Sequence, residues 1–259
     1  AKAVADHIGT EHTELYVQPQ DALETIPDLA KIYDEPFADS SQIPTYLVCR
    51  LTRQHVTVVL SGDGGDEVFG GYTRYQVGQK IWNRTRRIPL GVRNLISRGL
   101  LAVPEHVLDS CAKLLPEERR PNQFGLKVHK TARGLPSSHP DALYRQLLSQ
   151  WSDPEDVVIG ATEPRGEVWN ESYRQLIPDF TERMQFLDTL TYLPDDILTK
   201  VDRASMANSL EARVPLLDHR IVEFAWTLPE QFKLHRGQGK LILREILDHY
   251  VPRKLIERP

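Results

Sequence analysis

Carboxylates, glycines and a serine crowd together behind a short β-branched run in Val56-Thr57-Val58-Val59-Leu60-Ser61-Gly62-Asp63-Gly64-Gly65-Asp66-Glu67-Val68-Phe69-Gly70-Gly71-Tyr72. The run reads as a buried strand that delivers a site at its carboxyl end. Glycines there let the backbone turn at positive φ and approach a ligand closely. Phosphate oxygens can be met by the N–H groups of Gly62, Gly64 and Gly65 and by the Ser61 hydroxyl. Asp63, Asp66 and Glu67 cannot bind phosphate themselves, but they can hold Mg²⁺ against it or accept a proton beside it. From spacing alone, a ligand site and a plain glycine turn stand roughly even. A calcium loop of the EF-hand kind is disfavoured, because the alternating acids and the glutamate at the twelfth position are missing. Three close carboxylates repel one another unless something positive joins them.

A second charged stretch lies at 193–218. Pro194 is expected to start a helix with Ile197, Val201, Ala204 and Leu210 towards the core and Asp195, Asp196, Lys200, Asp202, Arg203, Glu211 and Arg213 on other faces. As pattern, this is first a charged helix exterior laced by pairs four residues apart. Arg213, which precedes Pro215, offers a planar fork suited to carboxylate or phosphate. Lys240 and Arg244, four apart on the next helix, could present positive charge to one ligand, but are read first as surface residues. The nine histidines are scattered without metal-ligand spacing, so a structural zinc site is not expected. No Gly-x-Ser-x-Gly elbow supports acyl-serine hydrolysis.

The elements that must position these groups change character along the chain. Val4 and Ile8 mark the end of a helix stopped by Gly9. Thr13 to Gln18 alternates and is a candidate strand. Asp21 with Glu24 has the capping-box spacing and should open a helix towards Tyr33. Ile43, Leu47 and Leu51 mark a helix ending near Gln54, and the Val56–Leu60 strand follows. This alternation is that of a parallel sheet in an α/β protein. Beyond Gly71 helical periodicity dominates, broken by joints such as Gly134-Leu135-Pro136-Ser137-Ser138-His139-Pro140. The expected division is an α/β portion over 1–75 and a mainly helical portion over 76–259.

Composition sets the outer bounds. With 259 residues the chain can bury about 70–75% of its unfolded surface. A net charge of −4 gives no bulk attraction to nucleic acid or anionic membrane. The arginines at 84, 86, 87, 93 and 98 alternate with apolar residues and read as the solvated face of an amphipathic helix pair. Cys49 and Cys111 suggest no disulfide framework, consistent with a reducing cytoplasm, and Cys49 falls on an apolar helix face as a small core residue. No apolar run reaches the ~18–20 residues of a membrane span.

The loop Ser61-Gly62-Asp63-Gly64-Gly65-Asp66-Glu67-Val68-Phe69-Gly70-Gly71-Tyr72 resembles the second signature of the synthetase domain of glutamine-hydrolysing asparagine synthetases. Two further segments agree in order: Tyr33-Asp34-Glu35-Pro36-Phe37-Ala38-Asp39-Ser40-Ser41-Gln42-Ile43-Pro44-Thr45 upstream, and Leu193 to Met206 running on to Glu211-Ala212-Arg213-Val214-Pro215-Leu216-Leu217-Asp218 downstream. The resemblance covers most of the chain. It implies a partial parallel sheet of the adenine-nucleotide alpha-hydrolase-like (PP-loop) type, all 259 residues being part of one synthetase domain. It implies a cytoplasmic ligase of asparagine biosynthesis that uses ATP and Mg²⁺. Such an enzyme adenylates the aspartate side chain and lets ammonia displace AMP. The ammonia comes from glutamine through an N-terminal glutaminase domain, and a homodimer is compatible with this reading. Position by position, Ser61 and Gly62 match the family's ATP-contacting pair, with Gly64 and Gly65 beside them. Asp63 takes the acidic position tied to adenylation and ammonia attack, where many members carry the longer glutamate. Asp66 and Glu67 match loop carboxylates with a metal or a hydrogen-bond role, and Glu211 and Arg213 match a Glu-x-Arg element with Arg213 catalytic.

The family's Ser-Gly-Gly-x-Asp-Ser pyrophosphate loop and its Lys-x-Gly-Phe-Gly segment do not occur in the sequence. The chain is therefore expected to be an internal fragment that alone binds ATP weakly and turns over nothing. Competing readings keep the chemistry but change the acceptor, as in related domains that amidate surface-sugar uronic acids or close β-lactam rings. Others make the chain a non-catalytic binding module or, least supported, a metal-dependent hydrolase.

Overall fold

The computed structural model describes residues 1–113, 122–149, 151, 157–163, 165–235 and 237–257. They form an α/β structure that is mostly helical, with one small parallel sheet. By contacts the chain divides into two units, Ala1–Tyr72 with Asp188–Pro259, and Thr73–Leu187. The sequence division at 75–76 falls near the first break, but the last seventy-odd residues return to pack with the first unit.

In the first unit, helix Lys2–Ile8 closes on Gly9 at φ 76, where glycine carries no Cβ penalty. The segment Thr13–Gln18 is not a strand. Leu15, Tyr16 and Val17 are exposed, and none of the described strands pairs with them. Alternation supplies two faces, but a strand exists only through a ladder partner. The capping box also sits three residues earlier than expected. Gln18 caps helix Pro19–Thr25, and its amide donates to Asp21 Oδ2 at 2.8 Å. Pro27, which has no N–H to give, tightens the next turn to a 3₁₀ helix before Leu29–Tyr33 resumes.

Helix Gln42–Arg53 follows as expected and buries Leu47 and Cys49. Its neighbours in the core are Ile32, Tyr33, Ala204 and Leu210, with Phe37 stacked on Tyr33 at 5.0 Å. Burial pushes the Tyr33 phenol up to about 12. Strand β1, Val58–Leu60, then runs parallel to β2, Glu211–Arg213, in the register Val58↔Glu211, Val59↔Ala212 and Leu60↔Arg213. This second strand corrects the expectation that the helix from Pro194 carries on to Leu210. The chain makes a π-helical turn over Leu193–Leu198 and an α-helix over Thr199–Met206. It then reverses through Ser209 at φ 53, and Leu210 enters the core from the connection. Helical periodicity cannot separate a last turn from a residue that re-enters the core just beyond it.

After β2, a 3₁₀ turn Pro215–Leu217 and helix His219–Thr227 pack on Val68 and Phe69. A two-residue hairpin, Leu234–His235 with Gln238–Gly239, leads into helix Leu241–Asp248.

The second unit is helical: Thr73–Thr85, Leu90–Leu101, Glu105–Ala112, Phe124–Gly134 and Pro140–Leu148 occur in it, with the 134–140 joint where glycine and proline placed it. Gly125 has to be glycine, because a Cβ there would lie 2.4 Å from Glu105 O. Asp141 is buried between Arg183 (Nε to Oδ1, 2.7 Å) and Arg174 (Nε to Oδ2, 2.6 Å), the paired state that makes a buried carboxylate tolerable. Arg93 corrects the reading of a wholly solvated basic face. It is buried, donating through Nε to Ile88 O and through Nη1 to Leu135 O and Ser137 O. Three carbonyls supply acceptors for its fork that a sequence pattern does not show. Among the described residues no helix is long and apolar enough to cross a membrane. Cys49 and Cys111 are both free thiols.

One ion pair clips the 199–206 helix to the chain upstream. Lys200 Nζ donates to Asp39 Oδ2 at 2.5 Å, and the Ser41 amide and hydroxyl donate to the same carboxylate at 2.8 Å each. Burial by itself would raise the Asp39 pKa. The three donors outweigh it and hold the group at about 2, below its usual 3.8. A carboxylate depressed in the folded state contributes stability that is full above 3.8 and lost as pH falls through about 2. Asp39→Asn should therefore cost about 2 kcal/mol at pH 7, with the difference from wild type closing near pH 2. Urea unfolding midpoints at pH 7 and pH 2.5 measure both ends.

Candidate functional site

The ladder decides which groups meet. Ser61 extends β1 by one step, its amide donating to Arg213 O at 2.8 Å, so the glycine loop leaves the sheet beside the carboxyl end of β2. Glu211 and Arg213, two apart on a strand, share a face. Arg213 Nε donates to Glu211 Oε1 at 2.7 Å, and both side chains are more than half exposed. The guanidinium thus keeps N–H donors facing solvent.

Within the loop, the Ser61 hydroxyl donates to Asp63 Oδ2 in a short contact, and the Asp63 amide points back to Ser61 Oγ at 3.3 Å. The glycines separate into two kinds. A Cβ on Gly62 meets nothing within 4 Å, so the space over that residue is open. Gly64, at φ 78, turns the chain into helix Gly65–Phe69, and a Cβ there would lie 2.3 Å from Leu217 Cδ2. On Gly65 it would lie 2.9 Å from Leu216 Cδ1. Position 64 is held to glycine by its positive φ together with Leu217, while Leu216 packs closely over Gly65. The amides of both glycines still begin a helix, where N–H groups lack intrahelical acceptors.

The three acids have three different environments. Asp63 is half-buried beside Ser61. Asp66 Oδ2 is 2.9 Å from Lys240 Nζ, in a pair 38% and 31% exposed respectively. A pair this open contributes about 0–1 kcal/mol to stability. Glu67 is buried, and Tyr72 Oη donates to its Oε1 at 2.7 Å. Tyr72 in turn meets Tyr192 edge-to-face at 5.8 Å. Desolvation raises the Glu67 pKa above its usual 4.5, with the Tyr72 hydrogen bond opposing and the charges of Asp66 and Asp188 adding to the rise.

Of the two basic residues four apart, only Lys240 reaches the loop acids, against its first reading as a surface residue. It caps helix Leu241–Asp248 at φ 57, a left-handed conformation that costs a lysine about 1–2 kcal/mol. Its amide donates to Phe69 O at 3.1 Å. Arg244 is not brought to the loop acids; its Nε donates to Gly239 O at 2.9 Å. Four-residue spacing with Arg244 suggested one solvated face, whereas the positive φ at Lys240 starts the helix one residue later and turns that side chain aside. Tyr72 ends the loop with no pattern of its own in the sequence, and its role shows only through the buried carboxylate that needs a donor.

The set could engage an anion through the open Gly62, the Ser61 hydroxyl and Arg213, with Asp63 as a carboxylate beside it. A metal cage built from protein alone is another matter. Among the described residues no three His, Cys, Asp or Glu side chains group so as to hold a metal ion. Mg²⁺ needs no such cage when one or two carboxylates and substrate phosphates share it. Of the two loop acids assigned to metal, Asp66 is the one with solvent access.

Comparison with known proteins identifies the family. The family model described as asparagine synthase matches residues 1–259. Glutamine-hydrolysing asparagine synthetase 1 of Bacillus subtilis (strain 168) is 30% identical over the whole of this chain. A provisionally named glutamine-hydrolysing asparagine synthetase of Mycobacterium tuberculosis (strain ATCC 25618 / H37Rv) is 35% identical, again over the whole chain. The chain spans 38% and 37% of the lengths of these two relatives. With a family match along its full length, the chain belongs to the asparagine synthase family.

Proposed function

We propose that this chain is part of the synthetase domain of a glutamine-dependent asparagine synthetase and contributes to ATP-driven amide formation on the aspartate side chain. The observation that supports this is the β1–β2 ladder: Ser61 lies beside Arg213 at the carboxyl ends of the two strands, Gly62 and Asp63 follow in the loop, and Glu211, at the start of β2, meets Arg213 through its side chain. In this reading the sheet is the edge of a PP-loop fold. A glutaminase domain elsewhere in the same polypeptide supplies ammonia, and the protein works in the cytoplasm, as a homodimer if it follows the family.

The roles follow from the chemistry of each group. The amides at Gly62, Gly64 and Gly65 and the Ser61 hydroxyl receive phosphate oxygens. The spare N–H donors of Arg213 take a carboxylate or phosphate oxygen bidentately. Asp63, oriented by Ser61, accepts the proton released when ammonia attacks the activated carboxyl. Asp66 is the loop carboxylate that would share Mg²⁺ with the phosphates, and the ion would supply neutralisation of phosphate charge. Glu67, buried against Tyr72, braces the turn from within.

Aspartate-dependent exchange of pyrophosphate into ATP by the full-length protein tests the reading, with a uronic acid as the alternative acceptor. Exchange with aspartate alone is expected, and none with either acceptor would reject the assignment. Asp63→Ala should lower the rate of amide formation by about 10²–10⁴-fold, measured as aspartate- and ammonia-dependent AMP release.

The two kinds of glycine give a separate check. Gly62→Ala should keep the wild-type melting temperature yet weaken ATP binding, since its Cβ enters open space. Gly64→Ala should lower the melting temperature, because its Cβ meets Leu217 and φ is positive. Calorimetric melting and ATP titration of both variants decide it.

Glu67 predicts a pH signature. An acid whose folded pKa is raised costs stability as pH climbs from its usual 4.5 through the higher folded value. Glu67→Gln keeps an acceptor for Tyr72 and removes that titration. The variant should match wild type near pH 4 and melt higher than wild type at pH 7; an unchanged difference across that range would remove the brace.

A further inference from the structure

Helix Leu90–Leu101 lies the wrong way round for a helix on a protein surface. Such a helix ordinarily turns its apolar stripe to the core and its polar face to water. Here Arg93 and Ser97, four apart, form the buried side. Val92, Leu95 and Ile96 share the other side and are exposed, Leu95 at 72%. Gly91 and Gly99 continue that side, and a Cβ on either meets nothing within 4 Å. Arg93 holds three backbone carbonyls, so the helix cannot roll to hide its leucine without breaking them.

Charge around this face is one-sided. Residues 73–104 hold six arginines, one lysine and no Asp or Glu, in a chain whose net charge is −4. Arg84, Arg86 and Arg87 are exposed just before the helix, and Arg98 is exposed at the margin of its apolar side. The next acids along the chain are engaged elsewhere. Glu105 Oε1 is 3.3 Å from His129 Nδ1, and Asp109 Oδ1 accepts the Gly125 amide at 2.8 Å. An exposed apolar patch rimmed by arginines fits a partner with an anionic skin and an apolar interior. Nucleic acid supplies the charge but no apolar layer. A second copy of the same face would set arginines against arginines. Protein partners are ordinarily gripped through aromatic anchors, and this helix carries only aliphatic apolar side chains.

We propose that the outer face of helix Leu90–Leu101 docks on an anionic membrane surface. Val92, Leu95 and Ile96 enter the headgroup layer, while Arg84, Arg86, Arg87 and Arg98 meet lipid phosphates. Apolar insertion and attraction to acidic lipid add together and give a reversible, peripheral attachment. The face belongs to the second unit, and its docking does not depend on the ATP-binding reading.

The test is sedimentation of the full-length protein with vesicles of phosphatidylcholine alone and of phosphatidylcholine with an equal part of phosphatidylglycerol, at low and high salt. Binding to the phosphatidylglycerol vesicles is expected, weakened by salt. Arg86→Ser with Arg87→Ser, and separately Leu95→Asp, should each weaken it at least about tenfold. Their melting temperatures should stay within about 3 °C of wild type, as for exposed positions. Leu23→Asp, which removes an exposed apolar side chain from the first unit, should bind as wild type does.

Folded wild type that binds neither vesicle, equal binding without phosphatidylglycerol, or binding that survives both substitutions would overturn the proposal. So would tighter binding to polyglutamate than to vesicles, lost in the arginine variant but kept by Leu95→Asp, which assigns the arginines to an acidic protein. A dimer that Leu95→Asp dissociates would give the face to a second copy and overturn it as well.

Discussion

The pairing of two three-residue strands is the constraint from which the site follows. Val58–Leu60 and Glu211–Arg213 are about 150 residues apart in sequence, and their parallel register alone sets Arg213 opposite Leu60 and ties Ser61 to the Arg213 carbonyl. A parallel pair cannot be joined by a tight turn and needs a long crossover. Here the crossover includes the whole second unit, Thr73–Leu187, which leaves the first unit just after the glycine loop and returns just before the helices that lead to β2. Two halves of one chemical constellation thus come from distant segments that share one sheet end, the usual place for ligands in open parallel sheets.

Placing three carboxylates within five residues creates a repulsion that the fold relieves in three ways. Asp63 accepts a hydroxyl from Ser61, Asp66 meets an ammonium from Lys240, and Glu67 is withdrawn into the interior against Tyr72. Opposite charge and hydrogen bonding favour the ionised form, whereas burial disfavours it. Neighbouring acids in one loop are thereby distinguished by environment, the arrangement that lets similar groups take different tasks. Of the three, Asp63 is the acid beside Gly62, where space is open, and is the one suited to act on a ligand.

Much of this was legible in the sequence, for reasons that mark where legibility stops. The 42–53 helix, the glycine loop and the 134–140 joint are local patterns, and the chain obeys them. The expected buried strand over Val56–Leu60 is corrected: it is shortened to Val58–Leu60 and leaves Val58 and Leu60 exposed, since among the described strands only β2 pairs with it. Thr13–Gln18 has the alternation of a strand but no partner among the described residues, which no local pattern can report. The reverse holds for Glu211–Arg213: three residues are too few to show a period, and only the partner strand makes them one. Lys240 was misplaced because spacing assumed a helix already formed, while its backbone is left-handed. Gly64 and Gly65 are plain in the sequence as glycines, but the leucines packed against them lie some 150 positions away.

Register is what this small sheet must protect. A slip of one residue would turn Glu211 and Arg213 to the opposite face. Each backbone hydrogen bond contributes only about 1 kcal/mol net, so a ladder of three residues cannot hold its own alignment against a competing one. The alignment comes from the anchors on either side. Before β2, Leu210 is fully buried with Ala204, Tyr33 and Cys49. After it, Leu216 and Leu217 fill the spaces left by Gly65 and Gly64. Moving β2 by one step would have to pull Leu210 out of its core and drive Leu217 into the loop at once. The glycines that look like ligand contacts are therefore also the sockets that lock Arg213 in place.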